Sequence, residues 1–306
     1  MKKVNLFIVG APKCGTTSMT YYLSQHPCIQ MSKPKEIHYF ATNMENYRLV
    51  KTLEDYHKIF NFEDEKIKYF GEASVWYLYS KIAIKNIYEY NPNAKIIVML
   101  RNPIEMVYSN YYQMKFNLRE TIDNFEEAWE AQKDRENNKK IPKFCLDKKT
   151  LYYKDIAKYA EQLENLFKYF NKEQVHIILY DDLKQNIKGE YKKLLQFLNL
   201  KYINKIDFSK QNISKVRKSN LLAFIYKFVA YNTPDLIKNI DRNIAKLSNG
   251  YSLGKFLKRI DSLNRKLAKK KDLSYEMKKK ILDNYIEDIS KLENILNRDL
   301  SHWKKI

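Results

Sequence analysis

Lys13, Thr16, Thr17 and Ser18 fall within six residues of one another, beside Gly10 and Gly15. A lysine, three hydroxyls and a run of backbone N–H groups form a donor set suited to a phosphate. Arg101 ends an apolar run farther along, and Ser109 follows eight residues later. A guanidinium is a bidentate partner for a terminal phosphate, and eight helical residues are about two turns, which brings the Ser109 hydroxyl toward the same anion. An ordinary strand-end salt bridge is the other reading of Arg101. Glu36 and His38, in Lys35-Glu36-Ile37-His38, and Glu72, in Gly71-Glu72-Ala73-Ser74, are the candidates for taking a proton from an attacking hydroxyl. Glu72 is expected at a strand end facing the cleft, and Lys35 either pairs with Glu36 or touches a substrate.

These residues need elements to hold them. The apolar run 4–9 reads as a strand, and Gly10-Ala11-Pro12-Lys13-Cys14-Gly15 as a tight loop opening into a helix. The spacing from Gly10 to Gly15 is that of a nucleotide-binding loop, yet Thr16 stands where such a loop carries lysine, and the lysine sits inside the loop as Lys13. Residues 95–100 read as a buried parallel strand feeding a helix at 104–116, and the strand ends in Arg101 rather than in a metal-holding aspartate. Both features weaken an ATPase or GTPase reading. Further helices are expected at 53–60, 82–90, 125–135, 152–170, 191–198 and 275–296, with strands at 67–71 and 175–180. The alternation predicts an α/β fold with a central, mostly parallel sheet and helices on both faces. His176 falls within a strand alternation and reads as structural.

The loop from Lys13 to Ser18 and the pair Arg101 and Ser109 together resemble the sulfotransferases that use 3′-phosphoadenosine 5′-phosphosulfate (PAPS). Supporting pieces are His26-Pro27, Lys35-Glu36-Ile37-His38-Tyr39-Phe40, Gly71-Glu72-Ala73-Ser74 and Phe125-Glu126-Glu127-Ala128. The resemblance runs from residue 4 to about 230 and returns near Trp303. It implies one sulfotransferase domain over 1–306, with 209–256 as loops and short helices covering donor and acceptor and 257–306 as a helical closure. It further implies that Lys13, Cys14, Gly15, Thr16, Thr17 and Ser18 bind the 5′-phosphosulfate and that Arg101 and Ser109 bind the 3′-phosphate. A late basic loop, with Arg217 preferred and Lys215 second, would add a cation there. Lys13 then assists departure of the nucleotide phosphate, leaving 3′-phosphoadenosine 5′-phosphate (PAP). Glu36 matches the general base of glycan sulfotransferases, with His38 beside it, and Lys35, Glu72 and Ser74 are placed at the acceptor. The implied acceptor is a hydroxyl of a carbohydrate or surface-glycan precursor.

Composition bounds the rest. The 306 residues carry 56 Lys and Arg against 36 Asp and Glu, a formal charge of +20, but the lysines alternate with Asn, Glu and Ile and form no concentrated patch. Solvated helix faces explain that pattern better than a nucleic-acid surface. Three scattered cysteines, Cys14, Cys28 and Cys145, show neither metal spacing nor a disulfide framework and suit a reducing compartment. The apolar start breaks at Gly10 and Lys13, too early for a signal peptide, and no stretch of 18 apolar residues occurs, so a cytoplasmic protein with at most peripheral membrane contact is expected. No metal is expected, because a transferred sulfuryl group carries less negative charge than a terminal phosphoryl. A magnesium-dependent nucleotide kinase and a non-enzymatic polyanion-binding protein stand as alternatives. The oligomeric state is open.

Overall fold

The computed structural model describes residues 2–209, 215–232, 259–267 and 271–306. Its centre is a parallel sheet of β1 (Leu6–Gly10), β2 (Ile29–Met31), β3 (Tyr69–Ala73), β4 (Lys95–Leu100) and β5 (Val175–Leu179), in the order β2-β3-β1-β4-β5. All five residues of β1 are buried, as a central strand with helices on both faces requires. Leu6 pairs with Gly71 on one side and with Lys95 on the other, so β1 and β4 run side by side and end together. The chain leaves β1 toward β2 and β3, then crosses to β4 and β5. That reversal opens a crevice beyond the carboxyl ends of β1 and β4, where α/β sheets bind ligands.

Two helices frame the crevice. The first, α1 (Thr16–Leu23), starts at Gly15, whose φ of 91° is left-handed and costly for any other residue. A Cβ there would also lie 3.1 Å from Leu183 and 3.2 Å from Tyr180. The α2 (Leu53–His57) and α3 (Ala83–Tyr90) helices follow, and then α4 (Pro103–Phe116) leaves the end of β4. Its start is encoded locally: the Asn102 side chain accepts from the Ile104 N–H at 2.9 Å and Pro103 takes the first helical position. Such a cap contributes about 1 kcal/mol, and proline there gives up only a donor that the helix leaves unused.

The expected helix at 125–135 is two, α5 (Phe125–Glu130) and α6 (Gln132–Glu136), broken at Ala131. The break accompanies the burial of Arg135, which pairs with Glu120 at 2.6 Å and donates to the Leu151 carbonyl. Only Tyr159–Phe167 of the expected 152–170 helix is helical (α7). Tyr153, Ile156 and Ala157 are fully buried from turns, and their spacing imitates a helical stripe. β5 runs directly into α8 (Tyr180–Gln185) and α9 (Ile187–Phe197). His176 on β5 stacks against Phe197, a structural placement.

The region read as irregular holds β6 (Lys215–Arg217) and α10 (Asn220–Asn232), and β6 pairs antiparallel with β7 (Arg265–Leu267). The parts of the expected covering loops at 210–214 and 233–258 lie outside the described residues. The last helix, α11 (Tyr275–Leu296), has the bounds its sequence pattern predicts and is capped by Ser274, which accepts from Met277 N–H. Beyond it Trp303 is buried and its Nε1 donates to Asp181 at 2.6 Å, pinning the end of the chain beside the end of β5. No described helix is long and apolar enough to cross a membrane.

Candidate active site

A cavity of about 940 Å³ opens above the ends of β1 and β4. The loop before α1 and the start of that helix form one wall through Lys13, Gly15, Thr16, Thr17 and Ser18. Arg101 and one face of α4 form the next: Ser109, Gln113 and Asn117 are spaced four apart, so all three point into the cavity. Lys35, Glu36 and His38 form the third wall.

The loop and the strand end are tied to each other. Arg101 donates from Nη1 to the Lys13 carbonyl at 3.3 Å, its Nε pairs with Glu105 at 2.7 Å, and its guanidinium lies 4.6 Å from the Tyr180 ring centre. Arg101 thus makes the local ion pair of a strand end and also lines the cavity. Lys13, itself left-handed at φ 63°, donates from Nζ to Gln113 Oε1 at 2.9 Å. The sequence reasoning missed Gln113, although the Ser109 period would have found it.

Across the cavity, Glu36 gathers several partners. Lys35 donates from Nζ to Glu36 Oε1 and reaches 3.5 Å from Thr16 Oγ1, while Glu36 Oε2 lies 3.0 Å from His38 Nε2 and accepts from Val75 N–H at 3.0 Å. Burial alone would raise the Glu36 carboxyl, but the Lys35 ammonium and the His38 hydrogen bond outweigh it and hold it at about 2. His38 is itself buried, with Nδ1 making no hydrogen bond and its ring edge-on to Tyr47 and Tyr77.

Three expectations are corrected here. Glu72 and Ser74 do not line the cavity; both are fully buried. The reason is register: β3 runs to Ala73 rather than ending at 71, so Glu72 lies inside the strand. Its carboxylate accepts from Tyr56 at 2.7 Å, Tyr77 at 2.7 Å and Ser74 at 2.5 Å, and Ser74 Oγ in turn accepts from His38 N–H at 3.0 Å. Glu72 thus supports the backbone that carries His38. Burial raises its carboxyl despite those three hydroxyls.

The Cys14 side chain also points away from the cavity. Its thiol donates to the Pro12 carbonyl at 3.3 Å, and burial pushes it up to about 12. Arg217, expected at the nucleotide, instead pairs with Asp261 and stacks 4.3 Å from the Phe116 ring centre, outside the cavity lining. The side chain of Lys215 lies outside the described residues.

A family model described as a sulfotransferase domain matches residues 3–286. The chain belongs to the sulfotransferase domain family. The chain is 26% identical to the membrane-associated sulfotransferase kil1 of Dictyostelium discoideum, over 68% of this chain and 59% of that one. It is 27% identical to human carbohydrate sulfotransferase 15, over 64% of this chain and 44% of that one. It therefore spans about half the length of these relatives. A crystal structure of a sulfotransferase from Alicyclobacillus acidocaldarius covers all of both chains with a TM-score of 0.72 at 24% identity, which shows a shared fold. The resemblance read from the loop and the strand end holds at the level of the family.

Proposed function

We propose that this sulfotransferase moves the sulfuryl group of PAPS to a hydroxyl of an acceptor, and that the acceptor is a carbohydrate. One observation carries the reading: Lys13 with its loop, Arg101 with Ser109, and the Glu36–His38 pair all face one cavity. The cradle fits such a donor. Gly15 holds a left-handed φ that keeps a side chain out of the loop, the start of α1 offers backbone N–H groups, and a guanidinium at the end of β4 and a hydroxyl on α4 line the same cavity.

Bound there, the donor supplies the group to be transferred. Thr16, Thr17 and Ser18 hold the 5′-phosphate side in register, and Arg101 and Ser109 hold the 3′-phosphate. Lys13 stabilises negative charge on the departing phosphate oxygen. Glu36, oriented by His38, accepts the hydroxyl proton of the acceptor. The carbohydrate preference is supported by the Lys35-to-Phe40 segment and by the name of the human relative.

Thermal unfolding with PAP, set against ATP with magnesium, tests the donor reading. Ligand at a hundred times its dissociation constant stabilises the folded state by about 2.7 kcal/mol, so PAP alone should raise the melting temperature. Stabilisation by ATP with magnesium and not by PAP would refute it.

A further inference from the structure

The far end of α4 carries cations that the donor does not use. Arg119 lies just past the helix and lines the cavity. Its Nη1 donates to the Tyr47 hydroxyl at 3.2 Å, its guanidinium sits 5.1 Å from that ring centre, and its buried Nε makes no hydrogen bond. Behind it, Lys227 of α10 donates from Nζ to the Asn117 carbonyl at 2.5 Å. Burial, with Arg119 and Arg217 nearby, pushes the Lys227 ammonium down to about 8. Among the described residues no carboxylate pairs with Arg119 or Lys227, whereas Arg217 beside them is neutralised by Asp261.

This cluster is remote from Arg101, where the 3′-phosphate is expected. The 14 residues of α4 separate Arg101 from Arg119, a span of about 21 Å at 1.5 Å per residue. It is close to the proposed base. The Tyr47 ring centre lies 5.5 Å from that of His38 and 6.2 Å from that of Trp76, so Arg119 stands one aromatic ring away from the Glu36–His38 pair. An incoming hydroxyl must arrive on that side.

We propose that Arg119, with Lys227 behind it, recognises an oxyanion carried by the acceptor, which makes the preferred acceptor an anionic saccharide. The proposal rests on the transfer reading given above. A cavity-lining guanidinium that no carboxylate neutralises is incompletely compensated until an anion meets it, and its planar fork matches a carboxylate or a sulfate ester. Aromatic neighbours on the same wall suit the apolar face of a sugar ring.

The test compares glucuronate, glucose 6-sulfate and methyl glucoside, titrated by NMR at fixed ionic strength into the full chain saturated with PAP. Wild type should bind one or both anions about tenfold or more tightly than the glucoside, and the tighter of the two identifies the oxyanion. Arg119→Gln should erase most of that advantage, and Arg119→Lys should restore part of it, with PAP affinity kept in both as the check on folding. Equal binding of charged and neutral sugars to wild type, or an advantage that survives Arg119→Gln, overturns the proposal. A loss of PAP affinity in Arg119→Gln as large as that in Arg101→Ala assigns the guanidinium to the donor and overturns it equally. If wild type fails to bind PAP, the donor reading falls, while the sugar comparison repeated without nucleotide still decides the role of Arg119.

Discussion

Glu36 Oε2 and His38 Nε2 lie 3.0 Å apart, and both residues hold left-handed backbone, at φ 65° and 52°. Two non-glycine residues in that region, one residue apart, cost free energy that the surrounding structure must offset. Glu72, buried beneath them, does so through Ser74, whose hydroxyl accepts from the His38 N–H. The carboxylate proposed as the base is thus held on a strained turn braced from within the sheet.

Replacing Glu36 by Gln removes the proposed acceptor of the hydroxyl proton and keeps the shape. Turnover should fall by about 10²–10⁴-fold, the usual range for general base catalysis. PAP affinity by calorimetry should stay within a few-fold, since Glu36 is assigned to the acceptor rather than to the donor. Retained turnover would move the base elsewhere.

Lys35 and His38 hold the Glu36 carboxyl at about 2, which makes it a poor base as it stands. Lys35 is also within 3.5 Å of Thr16 on the phosphate loop, so an anion on that loop competes with Glu36 for its ammonium. Lys35→Ala should therefore raise the Glu36 carboxyl and move the acid limb of the kcat/KM profile to higher pH. The stability linkage has the same sign: a lowered carboxyl stabilises the fold above its ordinary value of 4.5 and loses that contribution as pH falls from 4.5 through about 2. Acid unfolding of Lys35→Ala should begin at higher pH than in wild type, and coincident acid transitions would contradict the pairing.

Lys13→Ala should lower turnover about 10²–10³-fold, the loss typical when one donor to developing charge is removed. Its effect on PAP affinity should be much smaller, because the charge it is proposed to stabilise develops during transfer. A matching loss in both quantities would make Lys13 a binding residue only.

Removing the Tyr56 hydroxyl leaves one side of Glu72 without a donor in a fully buried place. Tyr56→Phe should cost about 1–3 kcal/mol by urea unfolding, the range for an unsatisfied buried group. A loss below about 0.5 kcal/mol would show that Glu72 is not held as described.

The loop, the end of β4 and the closing helix were legible in the sequence because local rules set them: glycine at positive φ, Asn102-Pro103 at a helix start, Ser274 at another. Glu72 was misplaced because residues 67–71 and 69–73 are equally apolar, and a two-residue shift decides whether the carboxylate faces solvent or core. Arg217 was misplaced because its partner, Asp261, is 44 residues away, and no local pattern announces such a pairing. Arg119 was missed for a related reason: its contact with Tyr47 joins residues 72 apart in the chain.

The central claim is that one cavity grips a nucleotide at both ends, and calorimetric titration with PAP and with 5′-AMP tests it most directly. Wild type should prefer PAP by roughly tenfold to a hundredfold, the worth of a charge-assisted contact to the 3′-phosphate, and Arg101→Ala should abolish that preference while 5′-AMP affinity stays unchanged. Equal affinity of wild type for the two nucleotides, or a preference that persists without the guanidinium, would contradict it.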